Sequence, residues 1–253
     1  ATEATLNNST MSLFIQFTLG AIVMRGAGCT LNDIIDSDFD QKVKRTATRP
    51  IPQGDVSLSQ AVVFLIFQLL IGFIILIQFN TTTIYLGIGS LVLIFAYPFA
   101  KRYTHWPQLL LGLTFNWGAL MGWASIKDAL DWPAVMLYIA GIFWTLGYDT
   151  IYAHQDKEDD ILIGVKSTAI IFGVKTRTWL GAFYAAVLLI IICLGNILEL
   201  NVLYFIGASF CGLHLAWQVY RLNTNDSQDC FKKFKSNRDF GLMFLFSILL
   251  GYT

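Results

Sequence analysis

Two short acidic runs hold the residues of this chain that are best suited to chemistry. The first is Asn32-Asp33-Ile34-Ile35-Asp36-Ser37-Asp38-Phe39-Asp40; the second is Asp156-Lys157-Glu158-Asp159-Asp160, with Asp149 shortly before it. Each contains an Asp-x-x-x-Asp pair, Asp36/Asp40 and Asp156/Asp160. A spacing of four puts both carboxylates on one helical face. Magnesium takes oxygen ligands, keeps some of its waters and is usually held by a few carboxylates together with substrate phosphates. Two such pairs, with basic residues just beyond each, suit two magnesium ions gripping a diphosphate.

The expected metal ligands, which are also the expected catalytic set, are Asn32, Asp36 and Asp40 on one helix with Asp156 and Asp160 on another. Arg45, Arg49, Lys101, Arg102 and Lys166 are near enough in topology to neutralise the remaining diphosphate charge, and the arginines can do so bidentately. Arg25, Asn32, Asp36 and Asp40 follow one another at intervals of 7, 4 and 4, within one stripe at 100° per residue. Asp149, Asp156 and Asp160 repeat the 7 and 4. Asp33 and Asp159 fall at the stripe edges, where they can orient the ligands by hydrogen bonds. Asp38 and Glu158 fall on other faces and read as solvated charges. Arg25 either snorkels toward lipid headgroups or serves the site, with Asp149 as an alternative structural partner. Tyr97 and Lys101 put a phenol and an ammonium one turn apart, although the phenol alone would suit an interface belt.

The elements that must position these groups are membrane helices. Of 253 residues, 55% are hydrophobic and only 13% charged, outside the usual range of a soluble chain. Apolar stretches of spanning length lie near 11–31, 58–79, 84–100, 107–126, 134–152, 178–198, 201–220 and 239–253. The expected fold is therefore all-α, a transmembrane helical bundle of eight spans, with residues 1–253 as a single domain. The last stretch is short, about 22 Å at a rise of 1.5 Å per residue. Carboxylates at membrane depth are costly and mark working sites by default. One acidic cluster at a helix end is ordinarily a solvated cap; two on the same side, each with the same spacing and adjacent cations, are not.

Charge sets the orientation. Net charge is zero, yet the connectors at 41–57, 101–106, 153–177 and 221–238 hold 15 of the 17 Lys and Arg residues. The positive-inside rule turns these connectors, and both acidic clusters, toward the cytoplasm or the mitochondrial matrix. Asp36 and Asp156 are 120 residues apart, each at the inner end of an outside-to-inside helix and each followed by a basic loop. That is a coarse parallel repeat, and its two half-sites could face one central cavity. Cys29, Cys193, Cys211 and Cys230, and His105, His154 and His214, form no ligand spacing and read as filler or surface residues. Ala1–Thr10 is polar and shows no cleavable leader. The bilayer is an expected partner and nucleic acid is not.

The pattern Asn32-x-x-x-Asp36-x-x-x-Asp40, the following Lys-Arg-Thr-Ala-Thr-Arg-Pro at 44–50, Tyr97-x-x-x-Lys101 and Asp156-x-x-x-Asp160 resemble the UbiA superfamily of intramembrane prenyltransferases. The longer segments RGAGCTLNDIIDSDFDQKVKRTATRPIPQG, YPFAKRYTHWPQLLLG and GYDTIYAHQDKEDDILIGVKSTAI resemble its branch acting on 4-hydroxybenzoate in ubiquinone biosynthesis. The resemblance implies a magnesium-dependent enzyme of nine spans around a central cavity. It implies transfer of a polyprenyl group from polyprenyl diphosphate to 4-hydroxybenzoate, ortho to the hydroxyl. It implies that Asn32, Asp36 and Asp40 form a first aspartate-rich motif, Asp156 and Asp160 a second, and Tyr97 and Lys101 a characteristic pair. With eight spans counted, the family's first span is expected to be missing from this chain. The carboxylate of 4-hydroxybenzoate would suit Arg25. The implied place is a bacterial or mitochondrial inner membrane. Alternatives are relatives making haem O or menaquinone precursors, and, from another class, an anion transporter. The inner-end position of the charges speaks against transport, whose sites usually lie near the bilayer midplane.

Overall fold

Long apolar runs become long helices. The computed structural model describes residues 8–41 and 46–253, leaving aside the side chains of residues 8, 9, 39 and 163. Among the described residues there is no strand. Seven helical stretches are long and apolar enough to cross a bilayer: Thr10–Asp38, Leu58–Leu76, Thr81–Tyr103, Pro107–Lys127, Trp132–Ala153, Thr168–Ile197 and Val202–Arg221. The chain is an integral membrane protein. Its outward faces are correspondingly apolar, with Val63, Phe67, Leu70 and Ile74 exposed on one helix and Phe14, Leu19 and Ile22 on another. Such faces suit acyl chains, which are as apolar as leucine.

The expected eighth span is corrected. Residues 239–253 belong mostly to a 25-residue helix, Ser227–Gly251, whose first half carries Lys232, Lys233, Lys235, Arg238, Asp229 and Asp239. The apolar remainder runs about 18 Å at 1.5 Å per residue, well short of the roughly 30 Å hydrocarbon core.

Two compact units divide the chain: residues 1–98 with 121–129, and residues 99–120 with 130–253. In the first unit α1 (Asn8–Asp40) packs along α3 (Leu58–Leu76), and the short α2 (Pro50–Gln53) returns to α1. Ser57 and Gln60 form a reciprocal capping box that starts α3. Within the α1–α3 seam the Thr30 hydroxyl donates to Gln68 Oε1 at 3.1 Å. Two polar side chains are thus satisfied against each other where water is scarce. Helix α4 (Thr81–Tyr103) begins in this unit and ends in the second, with Pro98 inside it.

The second unit is organised around α7 (Trp132–Ala153). It packs on α5 (Pro107–Phe115), α10 (Thr176–Ile197) and α12 (Ser227–Gly251), and α11 (Val202–Arg221) lies on α10 and α12. Ala140, Tyr184, Val187, Ile191, Leu215 and Phe240 are among the residues of its buried core. A Cβ at Gly147 would lie 2.1 Å from the Tyr184 ring, so only glycine lets α7 and α10 come this close.

The expected span at 107–126 is two helices, α5 and α6 (Trp117–Lys127), interrupted at Asn116. A break in a spanning helix releases backbone groups that lipid cannot satisfy. Here Asn116 Nδ2 donates to the Gly112 carbonyl at 2.8 Å and to Thr145 Oγ1 at 2.9 Å. The Tyr138 hydroxyl donates to the Leu113 carbonyl at 2.9 Å. The interruption is repaired by side chains.

Candidate active site

The first cluster rides on one uninterrupted helix. Because α1 stays helical to Asp40, the stripe Arg25, Asn32, Asp36, Asp40 is a single face. Asp36 is 0% and Asp40 6% exposed, Asn32 and Asp33 are half-buried, and Asp38 is exposed as its phase requires. Arg25, read from sequence either as a snorkelling residue or as part of the site, is exposed on α1.

The chain then turns back onto this helix. The Thr46 hydroxyl donates to the Asp40 carbonyl at 3.0 Å, one of the terminal acceptors a helix cannot satisfy internally. Arg49 N donates to the Thr46 carbonyl at 3.0 Å. Pro50 restricts the preceding residue to extended backbone, and Arg49 has φ −68° and ψ 152° as the N-cap of α2. From there its Nη1 donates to Asp33 Oδ1 and to Asp40 Oδ2, each at 2.8 Å. The arginine expected to serve a diphosphate therefore also serves two carboxylates of the cluster. Arg45 lies outside the described residues.

The second cluster is built differently. Helix α7 ends at Ala153, and Asp156, with φ −108° and ψ 8°, is the N-cap of a separate helix, α8 (Lys157–Ile163). The expected stripe Asp149, Asp156, Asp160 is therefore corrected: helical phase does not carry across the break. The four-residue pair survives, because Asp160 N donates to the Asp156 carbonyl at 2.8 Å. Asp149, Asp156, Asp159 and Asp160 are half-buried and Glu158 is exposed.

Polar tethers, rather than one continuous helix, fix this segment. Val165 N donates to the Asp160 carbonyl at 2.9 Å past Gly164, whose φ of 75° closes α8. Lys166 N donates to the Lys101 carbonyl at 2.9 Å and its Nζ to the Tyr103 carbonyl at 3.2 Å, so Lys166 docks on the end of α4 that carries Lys101 and Arg102. The Arg102 guanidinium lies 5.7 Å from the Phe99 ring centre. Lys101, Arg102 and Lys166 thus belong to one unit, with Lys166 joined to the end of α4 through backbone carbonyls. Tyr97 lies four residues before Lys101 in α4 and is half-buried. At α9 (Thr168–Phe172) Thr168 N donates to Oε1 of the buried Gln108 at 3.1 Å, and the Thr150 and Thr168 hydroxyls share a bond of 2.6 Å.

His154, read from sequence as filler, is part of this anchoring. It is buried just after α7, with Nε2 3.0 Å from Thr176 Oγ1. The single hydroxyl proton of Thr176 goes to the Gly173 carbonyl at 2.7 Å, so Nε2–H of His154 is the donor. Burial, with Lys157 nearby, pushes the imidazole from its ordinary 6.5 down to about 4, and it is neutral at physiological pH. A Gln, three Thr and a His scattered between positions 108 and 176 carry no spacing signal; only their shared burial reveals them.

Among the described residues no three His, Cys, Asp or Glu side chains converge tightly enough to hold a metal by themselves. The donors present are hard oxygens, fewer than an octahedral ion needs. They fit magnesium, whose remaining positions are ordinarily filled by water and substrate phosphate.

The sequence model of the UbiA prenyltransferase family matches residues 3–248. The chain belongs to that family. Its fold agrees with those of solved family structures. An apo UbiA homologue from Aeropyrum pernix K1 superposes with a TM-score of 0.82 at 23% identity, covering 96% of this chain and 90% of that one. A UbiA homologue from Archaeoglobus fulgidus bound to GPP and Mg2+ gives 0.73 at 15% identity, covering 95% and 87%. Similarity in sequence is much higher to mitochondrial 4-hydroxybenzoate polyprenyltransferases. The chain is 51% identical to that of Homo sapiens over 237 residues, covering 93% of this chain and 64% of the relative. It is 50% identical to that of Rattus norvegicus, covering 93% and 63%. This chain thus spans a little under two thirds of the length of these relatives.

Proposed function

We propose that this UbiA-family chain transfers a polyprenyl group from polyprenyl diphosphate to the ring carbon ortho to the hydroxyl of 4-hydroxybenzoate, in ubiquinone biosynthesis. The observation that carries this reading is the identity of about half of all aligned residues, over 93% of the chain, with relatives bearing that name. Residues 1–253 would belong to a single prenyltransferase domain. The mitochondrial relatives favour the inner membrane of that organelle, and the basic connectors favour aspartate clusters facing the matrix.

In this reading Asn32, Asp36 and Asp40 hold one magnesium ion, and Asp156 and Asp160 a second. Bound magnesium supplies the positive charge that stabilises a departing diphosphate. The chain's own cations, Arg45, Arg49, Lys101, Arg102 and Lys166, add charge and orientation at the same group. The allylic C–O bond breaks with its electron pair on the diphosphate; the electron-rich ring attacks the developing cation and then loses its proton. Apolar, aromatic surroundings keep water from intercepting the cation. Arg25 binds the acceptor carboxylate, with Tyr97 and Asp149 among the substrate-contacting residues.

The test is to incubate membranes containing the chain with magnesium, a polyprenyl diphosphate and a panel of aromatic acceptors, and to weigh the products. A product equal in mass to 4-hydroxybenzoate plus the prenyl group less one hydrogen is expected. Product from another acceptor and none from 4-hydroxybenzoate would reject the reading.

A further inference from the structure

We infer that Arg49 is an internal counter-cation of the first aspartate cluster, one that competes with a divalent cation for Asp40. The inference rests on the reading that Asn32, Asp36 and Asp40 hold that cation.

The geometry is specific. One guanidinium nitrogen, Nη1, carries two hydrogens and lies 2.8 Å from Asp33 Oδ1 and 2.8 Å from Asp40 Oδ2. Both hydrogens are thereby used. The Asp40 side chain is only 8% exposed, and a buried carboxylate left without a partner is strongly destabilising. Arg49 provides one. Its own side chain is 33% exposed, so it can swing toward water without opening the core. Its backbone is pinned on the same helix end through Thr46 and Pro50, so a displaced guanidinium stays beside the cluster.

An arginine and a divalent cation cannot both occupy one carboxylate oxygen, since their charges repel at contact distance. A metal ion on Asp40 Oδ2 therefore expels Nη1, and one on Oδ1 meets the opposing charge of the guanidinium across the same carboxylate. The freed fork has the geometry to take two phosphate oxygens. Arg49 would thus hold the cluster in order and charge-balanced when empty, and pass to the diphosphate when the metal arrives. This predicts a counter-intuitive sign: removing a site residue strengthens metal binding. Were Arg49 only a scaffold for Asp40, its removal would weaken metal binding.

The experiment uses the full chain in neutral detergent with Asp156→Asn as background, so that the first cluster is read by itself. Manganese binding, without any diphosphate, is followed by electron paramagnetic resonance. Asp36→Asn should abolish it. Arg49→Gln should bind manganese about tenfold more tightly than the background chain. Arg49→Lys keeps the charge and the fold but holds two oxygens less well, and should fall between the two. If Asp36→Asn leaves binding unchanged, the metal assignment itself fails. If Asp36→Asn abolishes binding and Arg49→Gln leaves it equal or weaker, the metal assignment stands and the counter-cation role is overturned. Arg49→Lys indistinguishable from the background would also overturn displacement, because only distant charge would then matter. Should Arg49→Gln fold poorly, Arg49→Lys alone decides.

Discussion

The two aspartate clusters share a spacing and little else. The first ends a 33-residue helix, is almost wholly buried at Asp36 and Asp40, and is closed by an arginine nine residues further along the chain. The second follows a helix break, is half-buried, and is held by hydrogen bonds to α4, α5, α7 and α10. One donor pattern has been reached through helical periodicity in one case and through tertiary tethering in the other. The first should therefore respond to changes in its countercharge, and the second to changes in polar residues far from it in sequence.

The largest effect expected is common to both. Asp36→Ala and Asp156→Ala should each lower prenyl transfer by about a thousandfold or more, since metal stabilisation of transition-state charge is worth several kcal/mol. Turnover of product in membranes, alongside yield of folded chain, reads this out. Near-normal turnover in one variant alone would mean that the clusters are unequal in chemistry as well as in construction.

A smaller effect separates them. Gln108→Leu removes the acceptor of Thr168 N, and leaving a buried donor unsatisfied costs about 1–3 kcal/mol. The thermal midpoint should fall, and the magnesium concentration for half-maximal rate should rise, because the tethers orient Asp156 and Asp160. A lower midpoint with unchanged magnesium dependence would show that the tethers stabilise the fold without aiming the cluster.

Arg25→Lys probes the far end of the first stripe. The structure leaves Arg25 exposed on the same face as Asn32 and Asp36. If it binds the acceptor carboxylate, KM for 4-hydroxybenzoate should rise about tenfold while KM for the prenyl diphosphate stays within about twofold, because lysine loses bidentate geometry. Equal rises in both would point to a structural role, and no change in either would leave Arg25 as a headgroup-facing residue.

The smallest effects belong to Asp38→Asn and Glu158→Gln. Both side chains are exposed and off the donor faces, so rates should remain within about twofold of the parent. Loss as severe as that of Asp36→Ala in Asp38→Asn would contradict the helical phase of α1. The same loss in Glu158→Gln would do so for α8.

The membrane helices were legible because lipid imposes a local rule: a span must be apolar over about 20 consecutive residues and keep its backbone bonds internal. The spacing of Asn32, Asp36 and Asp40, and the outward turn of Asp38, were legible because helical period is local as well. Local rules misjudged α12, whose apolar end is too short to span; they found the span at 107–126 but not its interruption at Asn116. They also carried helical phase from Asp149 to Asp156 across a break that a few polar residues, His154-Gln155-Asp156, do not announce. Tertiary structure alone decided that Arg49 reaches Asp33 and Asp40, that Lys166 docks on the end of α4, and that Gln108, Thr150, Thr168, Thr176 and His154 anchor the second cluster. These are pairings between buried polar groups distant in sequence. Each group's need for a partner is written in its chemistry, but which partner satisfies it depends on which elements pack together, and no periodicity in the chain records that.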